Sequence, residues 1–437
     1  MNKEQILKTV NDLDVKFIKL QFTDLFGAVK NVALPISQLT KALDGDIMFD
    51  GSSIEGFVRI EESDMYLKPD LDTFALLPWK SEYGKIARLI CDVYSPDGQP
   101  FAGCPRNILK RAVKEADSMG LTMYVGSEVE FYLFDRDQNG LPTTHSQDRG
   151  GYFDLAPIDK GDEVRRAIVH ALQEMNFEIE ASHHEVGEGQ HEIDFKYADA
   201  LTTADNIGTF KFVVRKIANL YNLYASFMPK PIFGKAGSGM HTHQSLFSGK
   251  QNIFYDAKAP FQLSETAMHY IGGLLHHARG YCAVTNPLVN SYKRLVSGYE
   301  APIYLAWSER NRSPLIRIPA RREIGTRAEL RNPDPACNPY LTLAVTLKAG
   351  LDGIKNKINP GAPLNLNIYD LTAEEKIKHG IRSLPGDLTE ALDEMEKDGL
   401  VKNVLGDHTY EKYLTAKRLE CDEYRNQVHQ WEIERYL

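Results

Sequence analysis

Residues 124–134 read YVGSEVEFYLF, placing Glu128 and Glu130 two apart inside a run with the apolar and aromatic content of a strand. Strand side chains alternate between faces, so both carboxylates point the same way. Like charges on a partly buried face repel unless a cation or basic group lies between them. A divalent metal is the economical explanation and a solvated strand face the alternative; the pair alone does not choose.

HHEVGEGQHEIDF, residues 183–195, adds Glu185 and Glu192 on either side of a turn containing Gly187 and Gly189. A hairpin there folds the two carboxylates back together; taken alone, the segment is also readable as an acidic turn. FGKAGSGMHTHQSLF, residues 233–247, sets His241 and His243 on one face of a strand behind a glycine-rich loop. Histidines so placed coordinate metal or donate to phosphate, and no GK[ST] closes the loop into a Walker motif. Further on, Lys293, Arg294, Arg310, Arg312, Arg317, Arg321, Arg322, Arg327 and Arg331 concentrate positive charge. Guanidinium groups match carboxylate and phosphate oxygens bidentately, although ordinary salt bridging accounts for about half of such a cluster. Glu329 and Arg331 again sit two apart, aimed into one cavity. Five glutamates and one histidine make an oxygen-rich ligand set that suits Mg²⁺ or Mn²⁺. Together these segments point to phosphoryl transfer from a nucleotide to an anionic acceptor.

The chain has 437 residues and a formal charge of −9, so it is a poor general binder of nucleic acid. Its five cysteines, Cys91, Cys104, Cys282, Cys337 and Cys421, form no CxxC pair and fit a reduced, cytoplasmic setting. The charged N-terminal segment is no signal peptide, and no run is long enough to cross a membrane. A short helix is expected over Lys3 to Leu13, then about four strands before residue 100, among them VKFIKLQFTD, VKNVALP, DTFALLPW and KIARLICDVY. SPDGQPFAGCPR, residues 95–106, reads as an exposed connection, dividing the chain into residues 1–100 and 101–437. Beyond it, NILKRAVKEADSMG and GDEVRRAIVHALQEMN read as helices preceding strands, and the C-terminal 27-residue segment beginning EKYLTAKRLE as a helix, either solvated or docked on a partner subunit.

The ordered set FDGSSIEGF (49–57), SEVEF, HHEVGEGQHEIDF, GSGMHTHQS, NPLVNSYKRLV, NRSPLIRIP and NPDPACNPYL closely resembles the glutamine synthetase family, in particular its short bacterial type I form of the alpha subgroup. The resemblance covers essentially the whole chain. It implies an α+β architecture, an N-terminal β-grasp domain followed by a glutamine synthetase-type catalytic domain, assembled as a homododecamer of two hexameric rings with shared active sites. The implied reaction ligates ammonium to the γ-carboxylate of L-glutamate through γ-glutamyl phosphate at the expense of ATP, giving glutamine, with two to three Mg²⁺ or Mn²⁺ ions in each site.

Carried over residue by residue, the resemblance gives Glu130, Glu185 and Glu192 as ligands of the metal nearer glutamate and ammonium. Glu128, His241 and Glu329 become ligands of the one nearer the ATP phosphates. Glutamate falls to Gly237, Arg294 and Arg331, helped by Glu130 and Glu300; ATP falls to Glu180, His243, Ser245, Arg312 and Arg327, with Arg317 assisting the transferred phosphoryl group. Asp50, from the adjacent subunit, takes the ammonium proton in a pocket lined by Ser53, Tyr152 and Glu185, and Glu300 closes the site as a mobile flap. Arg59 corresponds to the arginine through which glutamine inhibits the short form, and a nitrogen-responsive transcription factor is an implied protein partner. Relatives with Asn-Gly-Ser-Gly-Met-His differ from this chain, which has Ala236 before Gly237. Tyr369, in NIYDLT, occupies the place that longer relatives adenylylate, but the insertion those relatives carry is absent, so no adenylylation is expected. Two rivals remain: a γ-glutamyl ligase for larger amines, which intact Asp50 and Ser53 argue against, and a catalytically silent relative, which six intact metal ligands argue against.

Overall fold

The computed structural model describes every residue except 55, 57–63, 80, 297–300, 312, 367 and 379, and gives the backbone alone for 369, 373, 377 and 378. The chain opens with α1 (Lys3–Asp12), whose Ile6 and Val10 face inward and whose Asn2 and Gln5 form a reciprocal cap. Then follow β1 (Val15–Thr23), β2 (Val29–Pro35), α2 (Leu39–Leu43), β3 (Ile47–Asp50), β4 (Asp64–Leu76) and β5 (Lys85–Tyr94). These strands form a five-stranded sheet in the order β2-β1-β5-β4-β3, in which only β1 and β5 run parallel. The expectation of about four strands missed β3 and the first half of β4, which flank a segment that carries glycine, serine and charge rather than a strand pattern.

After α3 (Pro105–Ser118) come β6 (Thr122–Asp135), α4 (Asp162–Glu174), β7 (Ile179–His184), β8 (Gln190–Asp199), α5 (Ala200–Leu220), β9 (Leu223–Ser226), β10 (Met240–Ser248) and β11 (Gln251–Asn252). The remainder is α6 (Glu265–Thr285), α7 (Ser291–Arg294), β12 (Tyr304–Ser308), β13 (Pro314–Arg317), β14 (Ala328–Leu330), α8 (Pro339–Asn356), α9 (Ala373–Lys378), α10 (Leu388–Lys397), α11 (Gly399–Leu405), α12 (Asp407–Arg425) and α13 (Gln430–Tyr436). A nine-stranded sheet follows the path β12-β13-β14-β10-β6-β8-β7, with β11 added on β10 and β9 on β6. The C-terminal segment is thus two helices, and the second exposes Trp431 and Tyr436.

Alternation along β6 explains how this sheet presents its charges. Val129 and Phe131, fully buried, pack with Ile168 of α4 and Ile207 and Phe210 of α5, while Glu128 and Glu130 take the opposite face. Each such apolar side chain contributes roughly 1.5–3 kcal/mol, so the face that goes inward is not negotiable. A second core gathers α3, α6, α8, α10 and α11 around Tyr270, Tyr281 and Trp307.

The connection between the sheets is exposed over residues 96–100 and at Ala102; Phe101 and residues 103–106 are buried. Arg106, 3% exposed, explains the difference: its guanidinium meets Asp70 and Asp92 of the small sheet at 2.7 and 2.9 Å and Asp205 of α5 at 2.8 Å. Asn338, which caps α8, also donates to the carbonyls of Asp24 and Leu25 in the β1–β2 turn. Gly27 in that turn has φ +85° and lies flush against the Asn338 backbone, where a side chain has no room. None of the five cysteines forms a disulfide, and among the described residues no helix is long and apolar enough to cross a membrane.

Candidate functional site

Register places the charged residues in two adjoining groups on one face of the large sheet. On β10, His241 stands opposite Glu128 of β6, and His243 opposite Glu329 of β14; Glu329 in turn faces Arg317 of β13. Ligand atoms of Glu128, His241 and Glu329 all lie within 4.8 Å of one another. On the other side, Glu130 faces Glu192 of β8, and Glu192 faces His183 of β7. His183, Glu185 and Glu192 form the second close group; His183 Nε2 is 3.2 Å from Glu192 and Nδ1 3.6 Å from Glu185. His183 was not singled out from the sequence, although its alternation with Glu185 is the same signal that marks Glu128 and Glu130.

The first group is electrostatically tied together. His243 Nε2 lies 2.7 Å from Glu128 Oε1 and His241 Nδ1 3.1 Å from Oε2. Arg327 donates from Nε to His243 Nδ1 at 3.1 Å, which leaves Nε2–H as the donor to Glu128. Glu329, fully buried, accepts from Arg331 Nη1 at 2.5 Å and from Arg317 Nε. Burial would raise both carboxyls, but His243 with His241 holds Glu128 well below its ordinary range, and His243 with Arg331 lowers Glu329. Burial, aided by Arg331, pulls His241 down to about 4, so at neutral pH it presents a lone pair.

The second group behaves in the opposite way. Burial pushes Glu130 up to about 7 against the pull of Arg294. Burial also raises Glu192 well above the ordinary range, reinforced by Asp194, Glu130, Glu128 and Glu185. Buried carboxyls that face one another are a hard, oxygen-rich donor set short of positive charge, and a divalent cation fits it. Both groups therefore pass the chemical test for Mg²⁺ or Mn²⁺.

Glu130 is fixed by Gln190 Nε2 and the Gly239 amide, each donating to Oε2 at 2.9 Å. The loop before β10 closes over it. Gly237 has no space for a Cβ, which would lie 2.7 Å from both the Pro229 carbonyl oxygen and Arg294 Cγ. Arg294 is buried and donates to the carbonyls of Asn332 and Arg331, while Arg331 Nε is buried with no hydrogen-bond partner among the described residues. Tyr132 donates its hydroxyl to the Ala236 carbonyl at 2.7 Å, so this backbone is held from behind rather than by its own side chain.

Beside Glu128 opens a cavity of about 260 Å³ lined by Glu180, Ser245, His243 and Arg327, with Tyr124 and Tyr197 supplying aromatic wall. Asp194 also lines it, raised to about 7 chiefly by burial, and was not anticipated from the sequence. Tyr152 lies edge-on to the second group, its ring 5.7 Å from that of His183. Asp50 and Ser53 lie elsewhere, exposed at the end of β3 on the small sheet. Hydrogen bonds from Ser52 hold Asp50 ionised and below its ordinary range. Arg59, Glu300 and Arg312 lie outside the described residues, as does the side chain of Tyr369.

Comparison with known proteins gives this geometry its context. The family descriptions "Glutamine synthetase, beta-Grasp domain" and "Glutamine synthetase, catalytic domain" match residues 14–96 and 102–436. The chain is 61% identical to a glutamine synthetase of Thermus thermophilus over 100% of its own length and 98% of that protein's. It is 59% identical to one of Methanosarcina mazei, covering 100% and 97%. Among solved structures, a glutamine synthetase of Plasmodium falciparum aligns with TM-score 0.89 at 27% identity, covering 100% and 99% of the two chains. A GmaS/ADP complex aligns with TM-score 0.89 at 31% identity, covering 98% of each. Matched by both family descriptions along nearly all its length and by full-length relatives at 61% and 59% identity, the chain belongs to the glutamine synthetase family, whose members join ammonia to glutamate with ATP.

Proposed function

We propose that the two carboxylate groups hold separate cations and divide the reaction between them. Glu128, His241 and Glu329 serve the ATP phosphates, and Glu185 and Glu192, with Glu130 alongside, serve glutamate and ammonium. The observation that carries this division is the placing of the groups: Glu128, His241 and Glu329 meet beside the cavity lined by His243, Ser245 and Arg327, while Glu185 and Glu192 meet at His183, beside Tyr152. Bound Mg²⁺ or Mn²⁺, two to three ions per site, supplies charge neutralisation for phosphoryl transfer.

In the first step the glutamate γ-carboxylate attacks the γ-phosphorus of ATP. Glu180, His243, Ser245, Arg312 and Arg327 hold the nucleotide, and Arg317 meets the charge that develops on the transferred group. Gly237, Arg294 and Arg331 hold glutamate; a glycine lets the backbone approach the ligand. In the second step ammonia displaces phosphate from γ-glutamyl phosphate. Asp50 of a neighbouring subunit, ionised and exposed, binds ammonium and takes its proton, with Ser53, Tyr152 and Glu185 lining the pocket. Glu300 closes over the acyl phosphate and keeps water out.

The same reading assigns residues 1–100 and 101–437 to the two domains, a homododecamer of two hexameric rings to the assembly, and the cytoplasm to its location. Glutamine inhibits through Arg59, Tyr369 is not adenylylated, and the exposed C-terminal helices contact a partner subunit or a nitrogen-responsive transcription factor. Phosphate release from ATP with Mg²⁺ and glutamate tests the acceptor. Release that depends strictly on ammonium, forms glutamine and is inhibited by glutamine supports the reading; release only with methylamine or a polyamine overturns it in favour of a γ-glutamylamine ligase. No release with any acceptor revives a silent relative.

A further inference from the structure

We propose that Asp148, Asp159 and Arg165 are positioning residues for Glu185 and Glu192, acting through a buried ion network on the reverse side of the β7–β8 hairpin. The inference rests on the assignment of those two glutamates to the ammonium side of the site and extends it to residues that touch neither substrate nor cation.

Strand alternation turns His183 and Glu192 toward the site and His184 and His191 away from it. The two rear histidines stand directly opposite one another, both fully buried, with rings 4.9 Å apart and edge-on. His184 is gripped by a charged group from the segment between β6 and α4, and His191 by one from α4 itself. Asp148 Oδ1 lies 3.2 Å from His184 Nε2 and accepts from the Gly189 amide at 2.8 Å, while His184 Nδ1 lies 2.6 Å from the carbonyl oxygen of Glu185 itself. Arg165 Nη1 lies 2.7 Å from Asp159 Oδ2 and donates to His191 Nδ1 at 3.0 Å; Asp159 Oδ1 accepts from the Gly161 amide at 2.9 Å. Two relays result, Asp148–His184–Glu185 and Asp159–Arg165–His191–Glu192, the last link of the second being the peptide bond between neighbours.

The fit is tight as well as charged. A Cβ at Gly150 would lie 2.8 Å from His184 Nε2 and one at Gly161 2.5 Å from His191 Nε2, so both loops lie flush on the imidazoles. The clamped segment carries Tyr152, and the network therefore registers two walls of the proposed ammonium pocket against each other. Ligand atoms of Asp148, Asp159, His184 and His191 also fall within 4.8 Å of one another. Arg165, against Asp159 and His191, already supplies positive charge to this group, and a further cation there would face its guanidinium across a low-dielectric interior.

The test compares Asp148→Asn, Arg165→Met and Arg165→Lys with the parent full-length enzyme, measuring KM for ammonium, the half-saturating Mg²⁺ concentration and ADP affinity. Asp148→Asn and Arg165→Met are expected to raise the first two about 10-fold, the usual effect of removing an outer-shell partner, with ADP affinity unchanged. Arg165→Lys recovers part of the loss. Glu185→Gln, run in parallel, checks the assignment on which the inference rests: parent-like ammonium use in that variant refutes the assignment itself. Impaired Glu185→Gln beside parent-like Asp148→Asn and Arg165→Met overturns the positioning role alone. Equal weakening of ammonium, Mg²⁺ and ADP also overturns it, since that is the signature of a general packing defect. Should Asp148→Asn fail to fold, the recovery from Arg165→Met to Arg165→Lys decides the question by itself.

Discussion

Glu130 and Glu192 face each other directly across β6 and β8, and burial drives both to keep their protons. Glu130, at about 7 in the folded chain and about 4.5 when unfolded, binds more protons folded than unfolded between those values. Its contribution to stability is therefore greatest below about pH 4.5 and lost as pH rises through 7, a swing on the order of 3 kcal/mol. In EDTA, thermal unfolding of the parent is expected to weaken across that window relative to Glu130→Gln. Excess Mg²⁺ restores the parent above pH 7 by more than it raises the variant, which keeps the other cation-holding side chains. Parallel curves for the two proteins would refute the assignment.

Asp50 is exposed and ionised, so its replacement has little structural effect. Asp50→Ala is expected to lower kcat/KM for ammonium about 100-fold, the scale of a lost proton acceptor, while ADP binding measured by calorimetry stays at the parent value. Glu130→Ala, in contrast, weakens glutamate and metal binding.

Gly237→Ala forces a methyl group against a backbone oxygen and the stem of Arg294. Overpacking of this kind costs about 1–3 kcal/mol, and displacement of Arg294 should raise KM for glutamate more than KM for ATP. Steady-state kinetics in both substrates distinguish this from a uniform loss.

His277 of α6 bridges Asp352 of α8 at 3.1 Å and Asp398, the N-cap of α11, at 2.9 Å. Burial opposes its charge, but the two aspartates outweigh it and raise the imidazole. The contribution is thus fully present below about pH 6.5 and lost as pH rises through the raised folded value. His277→Asn should cost about 2 kcal/mol at pH 6 and progressively less as pH rises through the raised folded value, read by denaturant unfolding, with kcat unaltered.

Much of the site was legible because strand alternation converts sequence spacing directly into facing. Glu128 with Glu130 and His241 with His243 needed nothing more. The hairpin at Gly187 and Gly189 was readable for the same reason, and the helices over 105–118 and 162–174 followed their apolar spacing. What escaped depends on partners distant in sequence. Arg165 reads as one more charged residue on an amphipathic helix, and only the fold buries it beside His191. Arg106 lies in a segment whose prolines and glycines suggest exposure, yet two aspartates of the small sheet and one of α5 draw it inside. β3 is four residues long, too short for any periodicity to register.

The same arginine has a consequence for inheritance. Because one guanidinium is neutralised partly by the small sheet and partly by α5, separating the two bodies strands uncompensated charge on each newly bared face. Neither body is an independent cassette that recombination can trade for another lineage's. A break in the exposed 96–100 stretch, by contrast, leaves a nicked pair that stays joined, so scission there is survivable where shuffling is not.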